Sequence, residues 1–203
     1  MGRPLGPKHH MCRRIGERLC TSAKCPVMRR PYPPGVHRPK GYGRQTEYGT
    51  QLREKQKVKY IYGIMERQFR RYYADATTRE GNTSELFMQG LERRLDNVIY
   101  RLGFARSREE ARQMVSHGWV RVNGRRVDIP SYAVKAGQAV ALKADAKHSA
   151  RWQQIQAAGR PADAPSWLAR SGEALEGKVL ALPAPADFPQ NVNMTLVVEF
   201  YSR

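Results

Sequence analysis

The first third of this 203-residue chain holds almost no acid. Residues 1–73 carry 4 Asp and Glu against 18 Lys and Arg, whereas residues 74–203 carry 14 against 18. Cysteine is missing beyond position 25: the three in the chain, Cys12, Cys20 and Cys25, fall within fourteen residues. No uninterrupted apolar run reaches the roughly 18 residues that a membrane-spanning helix needs. The first twenty residues are basic with no apolar middle, so a secretory signal is not expected. No phosphate-loop or dinucleotide-binding glycine pattern occurs, and His117 and His148 have no partner in a catalytic motif. These gaps argue against an enzyme, a membrane protein and a disulfide-built secreted domain.

What is present is positive charge. The chain carries a net +18 with a pI near 10.3, and its first 73 residues account for +14 of it (18 less 4). Solubility needs only a net charge of roughly 2–8 on a small domain. The surplus, gathered in one part of the chain, is the electrostatic footprint of a nucleic-acid binder. Each cation that neutralises a phosphate releases a counterion, so affinity should fall steeply with salt. Apolar residues make up 40% of the chain and mean hydropathy is −0.68. One or two domains fit this length, with part of the chain extended or ordered only by its partner. Clustered thiols suit metal binding in a reducing compartment, here the cytosol, better than disulfides.

His9 and Cys12 are separated by two residues, Cys20 and Cys25 by four, with seven between the pairs. Zinc takes four N or S ligands in a tetrahedron, often with two to four residues inside each ligand pair. The spacing predicts a compact loop knuckle holding one structural zinc ion, since four protein ligands leave no open position for water. His10 is the rival to His9, leaving one residue before Cys12; an iron–sulfur cluster and three incidental thiols are the other readings of the same residues.

Residues 26–49 read as an extended basic strap, rich in proline and glycine and carrying Arg29, Arg30, Arg38, Lys40 and Arg44, with Tyr32, Tyr42 and Tyr48 available to stack or to pack. Helices are expected at 50–62 and 66–79. The cations of the first, Arg53, Lys55, Lys57 and Lys59, alternate rather than lining one face; the second carries Arg67, Arg70 and Arg71. One further helix, capped by Asn82 or Ser84, is expected to run to Gly103 with Leu86, Leu91, Leu95, Val98, Ile99 and Leu102 in the core, and Arg93 and Asp96 in surface pairs. Ser107 and Glu110 form a capping-box pattern for a helix to about His117. A strand at 119–122, an Asn123-Gly124 turn and a returning strand at 125–129 follow, then a strand at 139–143. Arg106, Arg108, Arg112, Arg121, Arg125 and Arg126 gather in this region. A short helix at 145–157, strands near 167–168 and 178–182, and a terminal strand over 196–201 complete the reading.

Five stretches carry a family resemblance: RPYPPG (Arg30–Gly35), LREKQK (Leu52–Lys57), LDNVIYRLGFA (Leu95–Ala105), VNGRRVDIPS (Val122–Ser131) and the terminal VEFYSR. With them the chain resembles the bacterial small-subunit ribosomal protein S-four family, over most of residues 1–143 and again at the last eight. The resemblance implies an α+β fold: an N-terminal zinc knuckle and basic arm over 1–45, a helical domain over 46–91, an inserted helix-turn-strand RNA-binding module with a small antiparallel sheet over 92–157, and C-terminal strands over 158–203. It also implies a primary binder of the 5′ domain of small-subunit ribosomal RNA that starts subunit assembly and supports translational accuracy. The implied neighbours are other small-subunit proteins, notably protein five, and messenger RNA where it enters the ribosome, with no membrane partner. The family's zinc-bearing branch uses four cysteines, and His9 stands at the position of the first. Trp119 and Gln138 depart from the family pattern, and 144–190 matches it poorly.

The candidate RNA contacts are Arg29, Arg30, Tyr32, Lys40, Arg44, Arg53, Lys55, Lys57, Lys59, Arg67, Arg70, Arg71, Arg106, Arg108, Arg112, His117, Asn123, Arg125 and Arg126. Two other classes share the features: an RNA-modifying enzyme carrying the same module, and a zinc-dependent DNA-binding regulator.

Overall fold

The computed structural model describes residues 2, 4, 6–22, 24–36, 44–143, 153, 165–170 and 175–203. Lys40 and nearly all of the helix expected at 145–157 lie outside them. The described residues form an α+β fold of two compact units, residues 1–84 with 189–203, and residues 85–188.

The first unit contains α1 (Lys8–Ile15), α2 (Glu47–Tyr62), α3 (Glu66–Thr77) and a terminal helix, α7 (Met194–Ser202). α2 starts three residues earlier than expected, because the Thr46 side chain accepts from the Gly49 amide and caps it. The expected terminal strand over 196–201 is instead α7. Its five apolar residues, interrupted only by Glu199, do not by themselves separate a strand from a buried helix. Asn193 decides it locally, its side chain accepting from the amides of Thr195 and Leu196. Packing decides it globally: Val197 is fully buried, Phe200 lies 5.6 Å from Tyr48, and Tyr201 stacks on Tyr73 at 4.9 Å.

In the second unit the single helix expected up to Gly103 is broken into α4 (Thr83–Glu92) and α5 (Leu95–Arg101). Arg94 between them is extended, and the backbone there pairs with residues 130–134: Val134 donates to Arg93, Leu95 to Tyr132 and Asp96 to Pro130. Those tertiary partners satisfy orphan amides at the start of α5. Leu86 is half-buried, while Phe87 and Met88 take its place in the core. α6 (Arg108–Ser116) follows, capped by Ser107; the Glu110 carboxylate reaches back to the Arg106 amide rather than to Ser107.

β1 (Val120–Val122) and β2 (Arg125–Arg126) form the hairpin, and Asn123 and Gly124 both have positive φ, as a two-residue turn of this type requires. The returning strand ends at Arg126, shorter than expected. β3 (Ala139–Leu142), β4 (Leu168–Arg170) and β5 (Glu176–Val179) complete an antiparallel sheet in the order β2-β1-β3-β5-β4. α5 and α6 cover one face, and their Leu95, Val98, Ile99, Leu102, Ala111, Met114 and Val115 share one core with Val120, Val122, Val140, Leu142 and Val179. Among the described residues no helix is long and apolar enough to cross a membrane.

Candidate nucleic-acid interface and metal centre

His9 and Cys12 both sit on α1, one turn apart, so the first ligand pair lies on a helix and not on a bare loop. The Cys25 end is fixed by a short 3-10 turn at Pro26–Met28. The donor atoms of His9, Cys20 and Cys25 all lie within 4.8 Å of one another, and Cys20 Sγ is 3.8 Å from His9 Nδ1. In a tetrahedron with bonds of about 2.0–2.3 Å, ligand atoms are separated by about 3.5–3.8 Å. His9 is half-buried and turned toward the thiols; His10 is exposed. Cys12 is buried in the same cluster with Cys25 and Val27, against Leu19 and Cys20. Burial pushes the Cys12 thiol up to about 11, with the Cys20 thiol adding to it. Burial also raises Cys20, but hydrogen bonds from the Ser22 backbone and from the Cys25 and Cys12 thiols outweigh it and bring the group below its ordinary value. The soft donor set and its spacing fit a divalent ion such as zinc.

The cations divide sharply by what they touch. On α2, Lys55 and Lys57 are buried. Lys55 pairs with Glu66 at 3.0 Å and lies 4.5 Å over the Phe200 ring; Lys57 reaches a Glu17 carboxylate oxygen at 2.8 Å. Lys59 takes the second oxygen of Glu66, and Arg53 donates twice to the Ile15 carbonyl. All four were expected to face RNA; the structure uses them to hold α1, α2, α3 and α7 together. Glu66, which also accepts from Tyr201 at 2.7 Å, is drawn down to about 2. Burial opposes that shift, and the hydrogen bonds from Tyr201, Lys59 and Lys55 overcome it. The same contact and burial raise the Tyr201 hydroxyl.

α3 behaves differently. Phe69 and Ala76 face inward, and Arg67, Arg70 and Arg71, at helical spacings of three and four, are exposed on the other side. In the strap, Arg29, Arg30 and Arg44 are exposed. Tyr32 is half-buried: Arg13 donates to its carbonyl and to that of Pro33, and lies 4.8 Å over its ring. Sequence reasoning gave Arg13 no such task, and no local pattern announced it.

The second unit repeats the division. Arg112 is buried with its guanidinium 3.9 Å from Asp96, which is itself paired with Arg94. Asp96 is therefore a buried hub and not a surface partner. Arg93 instead donates to the Val134 carbonyl. Arg108 donates to Asn97 and lies over the Tyr100 ring at 4.5 Å. Glu92, fully buried, holds Arg101 and Asn97. By contrast Arg106, His117, Asn123, Arg125 and Arg126 are exposed, and the Asn123 side chain accepts from the Ala139 amide, bracing the hairpin. The side chains of Arg125 and Arg126 make no hydrogen bond or ion pair among the described residues.

Two family models match the chain: the ribosomal protein S4/S9 N-terminal domain over residues 3–92 and the S4 domain over residues 93–140. Curated relatives include the small ribosomal subunit protein uS4 of Halothermothrix orenii, 49% identical, and that of Thermus thermophilus, 47% identical. The uS4A protein of Symbiobacterium thermophilum is 47% identical. Each alignment covers 100% of this chain and 100% of the relative.

Proposed function

The chain belongs to the uS4 family of small-ribosomal-subunit proteins, and from that premise we propose a division of labour among its cations. The protein is a structural constituent of the small ribosomal subunit, an rRNA-binding protein and not an enzyme. It works in the cytoplasm, on the ribosome. The exposed set, Arg67, Arg70 and Arg71 on α3 with Arg29, Arg30 and Arg44 of the strap and Arg125 and Arg126 of the hairpin, meets phosphates of the 5′ domain. The internal set, Arg53, Lys55, Lys57, Lys59 and Arg112, keeps the exposed set in place. The observation that carries this is the pairing itself: the internal cations already have carboxylate or carbonyl partners, and the α3 and hairpin arginines face solvent.

A fixed helix face and hairpin read RNA by shape and backbone more than by base edges. Binding of this kind gathers converging RNA helices, which is how the protein would start assembly of the subunit and support accuracy. Protein five and messenger RNA are its further neighbours in this reading. One zinc ion is held by His9, Cys20 and Cys25, with Cys12 as the fourth ligand. When bound, the ion supplies cross-linking of α1 to the turn at Pro26, because its binding energy becomes folding energy where its ligands lie. Neither the modifying-enzyme nor the DNA-regulator reading is favoured, since the full-length relatives are ribosomal proteins.

Binding of the full chain to a 5′-domain fragment of small-subunit RNA over a salt series, with zinc content measured, tests the proposal. It expects one ion per chain and a steep salt dependence with preference over duplex DNA. Equal binding to any polyanion would overturn it. Chelation should expose amides over roughly residues 1–45 to exchange while 92–143 stays protected; an arm that keeps its protection would remove the structural role of the metal.

A further inference from the structure

The sheet of the second unit has two unlike faces. Val120, Val122, Val140, Leu142 and Val179 are buried in the core formed with α5 and α6. Strand alternation turns Arg121, Ala139, Glu176 and Lys178 to the other side, and all four are exposed. Of this outer face the RNA reading above uses Arg126 alone.

Its register contains a conflict. Arg121 sits directly opposite Arg126 across the antiparallel pair. Like charges so placed repel. Neither side chain makes a hydrogen bond or ion pair among the described residues. Among the described residues the acids of this face, Asp128 two residues beyond Arg126 and Glu176 two strands from Arg121 across Ala141, form no ion pair with either arginine. The Arg126 guanidinium lies against Gly118, where φ is +72. The next residue, Trp119, displays its indole, 37% exposed. Ala139 and Ala141 leave the neighbouring strand low, and Lys178 is paired opposite Ala139.

Two like charges in register opposite each other call for an anion, and a planar guanidinium matches phosphate geometry. An exposed indole beside them offers a stacking surface that accepts any base. The two together select a nucleotide rather than a carboxylate-bearing protein. We propose that this outer sheet face binds an unpaired segment of ribosomal RNA, with Arg121 and Arg126 on one phosphate and Trp119 under the adjacent base. The proposal rests on the rRNA-binding function above and gives it a second surface, on the side of the sheet away from α5 and α6. Arg125 is not part of it, since its register partner is Val122 on the buried side.

The test uses the full chain and the 5′-domain RNA fragment over a salt series. Arg121→Gln, which leaves Arg126 in place, should reduce the log–log salt slope by about 1. The same variant should raise the Tm of the free protein by about 1 °C, because the repulsion is gone. An arginine with a merely structural role would lower the Tm on removal and leave the slope unchanged. Trp119→Ala should weaken binding about tenfold with the salt slope unchanged, and Trp119→Phe should restore most of it. An unaltered slope and affinity in folded variants overturns the proposal while wild-type binding leaves the broader function standing. Loss of incorporation into subunits with RNA affinity intact would give the face to a protein neighbour and also overturn it.

Discussion

α2 and α3 are consecutive helices of one unit, each carrying three or four cations, and they put them to opposite uses. On α2 the cations are buried or half-buried, and each has a carboxylate, carbonyl or aromatic partner within the fold. On α3 three arginines share one exposed face and the apolar residues take the other. The count of basic residues is nearly the same; the partners available on neighbouring helices are not. Of the carboxylates that pair with α2, Glu54 is on α2 itself, Glu17 follows α1 and Glu66 opens α3. A charge run therefore says little about RNA contact until its internal acids have been placed. The hairpin and the Asp96 hub of the second unit show the same split, which makes the distinction a property of the protein and not of one helix.

The comparison predicts that internal cations and their acids govern stability, and exposed ones govern binding. The largest effect is expected where the pairing is most buried. Asp96→Ala strips the shared carboxylate from Arg94, which is 1% exposed, and from Arg112. It should cost about 3–5 kcal/mol and lower Tm by about 10 °C, measured by calorimetry. A loss under 1 kcal/mol would mean that the hub is not what holds these arginines. Lys57→Ala comes next: it should remove about 2 kcal/mol and leave the RNA salt slope of the folded protein unchanged. If the slope falls instead, α2 meets RNA directly and the contrast with α3 is broken. The mirror experiment is Arg70→Gln with Arg71→Gln, which should lower the slope by about 2 and shift Tm by no more than about 1 °C.

The smallest effect is in pH. The folded value of Glu66, about 2, lies below the ordinary 4.5, so its partners stabilise the protein above about pH 4.5 and that contribution is lost as pH falls toward 2. Its side chain is 44% exposed, so solvent screens most of the shift and about 1 kcal/mol remains. Wild type should exceed Glu66→Gln by that amount at pH 7 and match it near pH 2. A difference that persists at pH 2 would assign the effect to packing around Tyr201 and not to charge.

Much of this was readable from the chain alone, and for specific reasons. Asn123-Gly124 announces its turn because few other residue pairs tolerate positive φ at both positions. Ser107 and the apolar spacing after it fix α6. The thiol cluster and His9 announce a group that could hold a metal, since soft donors at short spacing have few other uses in a reducing compartment, and the fold brings His9, Cys20 and Cys25 within 4.8 Å of one another. These features are local, and local chemistry is written in consecutive residues. The remainder was settled across long sequence separations. The 196–201 run became a helix because α2 offered Lys55 and Tyr48 to its aromatic rings. The helix before Gly103 was cut because residues 130–134 supply hydrogen bonds at Arg93–Asp96. The LREKQK stretch turned inward because acids elsewhere in the fold reach it. Sequence determined how much positive charge this protein has; tertiary structure decided which of it remains free, because pairing depends on which residues meet in space.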